Sequence, residues 1–121
     1  MTKKVLIVDD SAYNRTLLAA ILKKKNLQTE IAENGEEAIA KFKELKPDIV
    51  FLDNMMPKIS GIDALREMKK INPDCIGIML TALSSMEDVQ LAKEAGANGY
   101  LLKPFEIEKI YGVLKKFNII E

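Results

Sequence analysis

The chain has 121 residues, which suits one compact domain over 1–121 and leaves little room for a second. Hydrophobic residues make up 48%, enough for a packed core, and eighteen basic residues balance eighteen acidic ones, so no net field draws nucleic acid or an anionic membrane surface. Histidine is absent, which excludes a serine–histidine triad, histidine metal ligands and a phosphohistidine carrier; any general acid or base must be a carboxylate, a lysine, a tyrosine or water.

Met1-Thr2-Lys3-Lys4 leads into the short apolar run Val5-Leu6-Ile7-Val8, which lacks the long hydrophobic region of a signal peptide. No apolar run approaches the ~20 residues of a membrane span, and the expected location is the cytoplasm. After Asp9-Asp10, Ser11 can cap a helix on which Leu17, Leu18, Ile21 and Leu22 recur at helical spacing. Leu27, Thr29 and Ile31 then alternate with Gln28, Glu30 and Ala32, the pattern of a half-exposed strand at a sheet edge. Asn34-Gly35 reads as a turn, and Ala38, Ile39, Phe42 and Leu45 mark a second helix that stops before Pro47.

The run Ile49-Val50-Phe51-Leu52 ends at Asp53 and a loop through Gly61. A third helix follows on Ile62, Leu65, Met68 and Ile71, closed by Asn72-Pro73. Cys75, the only cysteine, lies beside the next apolar run and reads as a small buried hydrophobe. Ile76-Gly77-Ile78-Met79-Leu80 ends at Thr81. Ser85 and Asp88 have the spacing of an N-cap and its reciprocal partner, and that helix closes at Ala95-Gly96. Tyr100-Leu101-Leu102 ends at Lys103-Pro104, and Ile107, Ile110, Tyr111 and Leu114 give a last helix, weakened by Gly112 within it by ~1 kcal/mol relative to alanine. The order is strand–helix five times, and four runs are apolar throughout, as strands covered on both faces must be. This predicts an α/β fold with a parallel sheet and right-handed crossovers.

Four apolar runs therefore end in polar residues: Asp9-Asp10, Asp53, Thr81 and Lys103. In open parallel sheets, ligands bind beyond the carboxyl ends of the strands. Each residue alone has a plainer reading: a helix cap for Asp9-Asp10, a solvated loop acid for Asp53, a turn former for Thr81, a surface charge for Lys103. Their joint placement argues otherwise. Three carboxylates in one place repel unless something compensates, and Mg2+ with its hard oxygen ligands is suited to do so. A carboxylate can then act as nucleophile toward a phosphoryl group, with a lysine ammonium and a threonine hydroxyl to hold the phosphoryl oxygens. The side chains of Met55-Met56 read as core filler.

With Val8-Asp9-Asp10-Ser11, Leu52-Asp53, Met56-Pro57, Gly61, Thr81-Ala82, Gly96-Ala97 and Lys103-Pro104-Phe105 in place, the chain resembles, from end to end, the receiver domains of two-component response regulators, the CheY-like family. The resemblance implies a flavodoxin-like (βα)5 three-layer sandwich with strand order 2-1-3-4-5; the general rule for ligand sites in such sheets is itself illustrated by CheY and adds no independent support. It implies that Asp53 is the phosphoacceptor, that Asp10 ligates Mg2+ directly and Asp9 mostly through water, and that the backbone carbonyl of Met55 completes the protein ligands. Lys103, with a cis bond to Pro104, would contact the phosphoryl group. Thr81 would move toward it, and Tyr100 would turn inward in concert; the plainer reading of Tyr100 is packing on its strand. Met55 and Leu83, both apolar, stand where the family controls access of water to the phosphoryl group, which implies slow self-dephosphorylation. Ser60 and Asn54 depart from the pattern: an acidic residue is more usual before Gly61 and an apolar one after Asp53.

The implied partners are a histidine kinase or phosphotransfer protein as donor and a target protein on the face of the last two helices, as in chemotaxis or a phosphorelay. The chain ends after its last helix, so the expectation is a stand-alone regulator rather than an enzyme. Other classes remain open. A haloacid-dehalogenase-type aspartyl phosphatase also uses Asp, Mg2+, Thr or Ser and Lys, but needs Asp-x-Asp where this chain has Asp9-Asp10-Ser11, and usually a cap domain. A flavodoxin-like flavin carrier would need a Ser/Thr/Gly-rich phosphate cradle, absent from the first loop. A constitutive, unphosphorylated interaction module is the third.

Overall fold

The computed structural model describes residues 3–54, 56, 58–81 and 86–120. Ten elements alternate in the expected order: β1 (Lys4–Val8), α1 (Ala12–Lys23), β2 (Gln28–Ala32), α2 (Gly35–Leu45), β3 (Ile49–Asp53), α3 (Gly61–Ile71), β4 (Ile76–Thr81), α4 (Met86–Glu94), β5 (Gly99–Leu102) and α5 (Ile107–Lys116). All neighbouring strands pair in parallel, in the order β2-β1-β3-β4-β5. This is the flavodoxin-like arrangement that the resemblance implied.

The period-2 geometry of the strands explains why their apolar runs are unbroken. Leu6, Val8, Val50, Leu52 and Met79 point to one face of the sheet, where Ala38 and Phe42 of α2, Ala64, Leu65 and Met68 of α3 and Ala92 of α4 cover them. Val5, Ile7, Ile49, Phe51, Ile78 and Leu80 point to the other, beneath Leu18, Ile21 and Leu22 of α1 and Ile110 and Leu114 of α5. The result is three layers with two cores. Cys75 belongs to the first and is buried. Burial pushes its thiol pKa up, partly offset by the charge of Lys69.

Capping fixes where the helices start. The Ser11 hydroxyl accepts from the Asn14 backbone N–H at 3.3 Å and opens α1. Asn34-Gly35 differs from the expected turn. Asn34 is the N-cap of α2, its side chain accepting from the Glu37 N–H at 2.8 Å, and Gly35 is already helical. An asparagine oxygen serves either structure, and the helix that follows decides for the cap. Gly96, at φ +96°, closes the α4 segment; its N–H donates to the Lys93 carbonyl and that of Ala97 to the Ala92 carbonyl, the paired bonds of a Schellman ending. The expected Ser85 cap of α4 lies outside the described residues.

β2 is an edge strand, as expected. Its outer end is less covered than its alternation suggests: Ile31 is 41% exposed, beside a groove that α1 lines largely with the small residues Ala12, Thr16, Ala19 and Ala20, with Arg15 and Lys23. The Lys41 ammonium donates to the Ile31 carbonyl, placing a charge on an edge that could otherwise pair with another strand.

Candidate functional site

The strand register assembles the site. Val8 pairs with Leu52, so the next residue on each strand, Asp9 and Asp53, meet at the carboxyl edge. Thr81 pairs with Leu102, which places Lys103 one step beyond, its backbone N–H donating to the Thr81 carbonyl at 2.7 Å. The Lys103-Pro104 peptide bond is cis.

Asp9 is 1% exposed and held on every side. Its carboxylate accepts from the Ser11 N–H at 2.9 Å and from the Lys103 ammonium at 2.9 Å; its own N–H donates to the Ala32 carbonyl at 3.2 Å, and its carbonyl accepts from Arg15 Nη1 at 2.8 Å. Asp53 is buried, and its Oδ1 lies 3.4 Å from Lys103 Nζ. Lys103 thus bridges the two buried acids and sits closer to Asp9. Asp10 is exposed beside them. One carboxylate oxygen from each of Asp9, Asp10 and Asp53 lies within 4.8 Å of the others. Against Lys103 this leaves a surplus of negative charge, and the donor set is hard oxygen only, so the residues fit a small divalent cation such as Mg2+.

The loop after Asp53 is bound to the start of α3. The Asn54 carbonyl accepts from the N–H of Met56 at 3.1 Å and of Gly61 at 3.2 Å, and its side-chain oxygen accepts from the Ile62 N–H at 3.2 Å. The Ser60 hydroxyl caps α3 through the Asp63 N–H at 3.1 Å. A Cβ on Gly61 would lie 2.2 Å from the Asp53 carbonyl oxygen, so only glycine allows α3 to approach the end of β3 this closely. Asn54 and Ser60, the two departures from the family pattern, therefore each supply a bond that anchors this loop.

On the β4–β5 side, Thr81 is buried and its hydroxyl is hydrogen-bonded with the Tyr100 phenol. Tyr100 packs against the core beneath α4. Burial is the largest influence on its phenol and raises the pKa; the Thr81 bond lowers it, and the Asp88 carboxylate raises it again.

The structure thus brings together Asp9, Asp10, Asp53 and Lys103, and links Thr81 to Tyr100. Met55 and Leu83 lie outside the described residues. Arg15 escaped the sequence reading, although it shares the buried face of α1 with Leu18 and Leu22 at helical spacing, and a charge on such a face is itself a signal.

Comparison with known proteins agrees with this architecture. Residues 5–115 match the family model of the response regulator receiver domain. The chain is 43% identical to the chemotaxis protein CheY of Thermotoga maritima, over 96% of this chain and 98% of that one, and 38% identical to sporulation initiation phosphotransferase F of Bacillus subtilis, over 97% and 94%. It superimposes on a structure of a CheX–CheY–BeF3–Mg complex from Borrelia burgdorferi with a TM-score of 0.90 at 33% identity, covering 95% of this chain and 89% of that one. Strand order, site and sequence converge on one assignment: the chain belongs to the response regulator receiver domain family, whose members serve two-component signalling.

Proposed function

We propose that Asp53 accepts a phosphoryl group from a histidine kinase or phosphotransfer protein, and that Mg2+ held by Asp9, Asp10, Asp53 and the Met55 carbonyl assists. The observation that carries this reading is the convergence of three carboxylates within 4.8 Å, with the Lys103 ammonium already 3.4 Å from Asp53. The Borrelia relative that this chain superimposes on is a complex with Mg, which supports the same ion here.

In the transfer, an Asp53 carboxylate oxygen forms the new P–O bond as the donor's P–N bond breaks. The electron pair of that bond returns to the donor imidazole, which regains its ordinary protonation. Bound Mg2+ supplies charge to offset the transferring phosphoryl oxygens. Lys103 supplies a second, fixed positive charge; it is held in place by Asp9 and by its backbone bond to Thr81. The Thr81 hydroxyl reaches the phosphoryl group on modification and gives up its present bond to Tyr100, so the mark at Asp53 is felt beneath α4. Met86, Leu91, Leu102 and Ile107 expose apolar surface on α4, β5 and α5, the face where a target protein would read the change. Apolar Met55 and Leu83 keep water from the phosphoryl group; Met55→Asn with Leu83→Glu shortens its lifetime.

In this reading the chain turns over no external substrate and catalyses only its own phosphorylation and dephosphorylation. The aspartyl phosphatase reading is not favoured, because the family match spans residues 5–115. Relatives from both chemotaxis and sporulation fit the chain, and the CheY proteins fit it along nearly their whole length, which supports a single-domain regulator of chemotaxis first and a phosphorelay intermediate second. No described helix is long and apolar enough to cross a membrane, in keeping with a cytoplasmic role.

The test is incubation with a small acyl-phosphate donor and Mg2+, read by intact mass. The expected result is one added phosphoryl group, lost in Asp53→Asn and on chelation of the metal. No label on the native chain, or label that survives Asp53→Asn, overturns the reading.

A further inference from the structure

We infer that Arg15 is a positioning residue for the divalent-cation site, acting on Asp10 through the peptide bond that joins it to Asp9. The inference rests on the Mg2+ reading above. Arg15 is buried at 9% exposure on the inner face of α1. Its Nη1 donates to the Asp9 carbonyl at 2.8 Å, and its Nη2 lies 3.5 Å from the Glu33 carboxylate just after β2. The guanidinium therefore spans from the end of β1 to the end of β2.

The two acids of the pair differ in what holds them. The Asp9 carboxylate has its own partners in Ser11 and Lys103. Asp10 is exposed, and its side chain has no hydrogen-bond or ion-pair partner among the described residues. What aims Asp10 is its backbone. A planar peptide bond makes the direction of the Asp9 carbonyl and the placement of the Asp10 nitrogen and Cα one rigid unit, so a bond that fixes the carbonyl fixes the Cα from which the Asp10 side chain departs and leaves only its own torsions free. Arg15 makes that bond.

Stability alone is a weak account of the burial of Arg15, whose one short bond is to the Asp9 carbonyl. Its Nε is buried without a hydrogen-bond partner among the described residues, and its ion pair with the exposed Glu33 is long. An apolar side chain of similar length would remove the unpaired Nε but would leave the Asp9 carbonyl without this donor. Nor does its charge help directly, since a guanidinium near a cation site repels the cation. The two possible roles thus predict opposite signs. If charge is what matters, removing it tightens Mg2+ binding. If Arg15 positions Asp10, removing it weakens binding.

The experiment measures Mg2+ affinity of the full chain by titration calorimetry, with thermal unfolding recorded without metal. Arg15→Met is expected to raise the Mg2+ Kd about tenfold, in the range found when outer partners of metal ligands are lost, with Tm lowered by less than about 5 °C. Labelling by an acyl phosphate is expected to recover when Mg2+ is raised to saturation. Arg15→Lys, which keeps the charge and loses the planar fork, guards against a Met variant that fails to fold; it too is expected to weaken Mg2+ binding. An unchanged or lower Kd in the folded variants, or full recovery of native affinity in Arg15→Lys, overturns the inference. Asp10→Asn separates the two levels. If the native chain binds Mg2+ and Asp10→Asn does not, the site reading stands whatever Arg15 does; if the native chain binds none, both fall.

Discussion

The β1–β3 side of the site and the α4–β5 side are built to different standards. On the first, every residue of β3 is buried, Asp9 is bonded at both its backbone and its carboxylate, and the loop after Asp53 is tied to α3 through Asn54, Ser60 and the close approach at Gly61. On the second, α4 buries only Ala92 within its span, and no residue of β5 is fully buried. The sheet joins them without interruption, so the difference lies in side-chain cover and not in backbone pairing. In the proposed role, chemistry at Asp53 needs fixed geometry, because a misplaced charge loses its effect on the transferring group. A surface that reports the event needs two arrangements of similar free energy, and sparse burial keeps the cost of rearrangement low.

The largest effect that sharpens this contrast is expected at Gly61. A methyl group there meets the Asp53 carbonyl oxygen at 2.2 Å and the Asn54 Cα at 2.9 Å, both backbone atoms that cannot swing aside. Gly61→Ala is expected to cost about 3 kcal/mol in urea unfolding, and to slow phosphoryl labelling of whatever remains folded. A change within about 0.5 kcal/mol would show that the loop after Asp53 is not rigid, and the comparison would lose its first half.

Next comes the local cost of opening. Hydrogen exchange under native conditions should find the β1 and β3 amides near the global unfolding free energy, and the α4 amides at least about 2 kcal/mol below it. A matched pair of truncations tests the same point through side chains. Leu65→Ala, at a fully buried position of α3, is expected to cost about 3 kcal/mol, whereas Val89→Ala, at a half-buried position of α4, should cost about 1 kcal/mol. Equal costs would put both sides on the same footing.

Much of this arrangement could be read from the residues, for reasons that are themselves physical. A strand buried on both faces must be apolar throughout, so Ile49-Val50-Phe51-Leu52 announces itself, and the first polar residue after such a run must emerge at the sheet edge. Parallel pairing in register then carries Asp9 to Asp53. What could not be read are contacts made across space by residues with a plausible local role. Asn54 looked like a departure from the pattern; its bond to Ile62 bridges eight residues and exists only once α3 has docked. Arg15 drew no reading at all from the sequence, although its spacing to Leu18 and Leu22 placed it inward on α1. Asn34-Gly35 carries the chemistry of a turn and of a cap equally, and only the helix beyond it distinguishes them. The exposure of Ile31 goes with the small size of Ala19 and Ala20 in the groove beside it, which no pattern within β2 records.

The smallest expected effect lies at Tyr100, where the two sides touch. Its phenol pKa is raised above the ordinary value, first by burial and then by Asp88, and held back by the bond to Thr81. A raised folded pKa means that the neutral phenol is favoured in the folded state. The stability it contributes is complete below about pH 10, the unfolded value, and is lost as pH rises through the folded value. Titration of tyrosinate absorbance should show one phenol ionising late, and Tyr100→Phe should remove that step. Thr81→Val removes the bond that lowers the pKa, so the late step should move further up. Tyr100→Phe is expected to cost only about 1 kcal/mol at neutral pH, the net worth of one hydrogen bond. If Thr81→Val instead moves the step down, or leaves it in place, then the Thr81 hydroxyl is not what holds Tyr100. The link from the rigid side of the site to the looser one would then have to run through another contact.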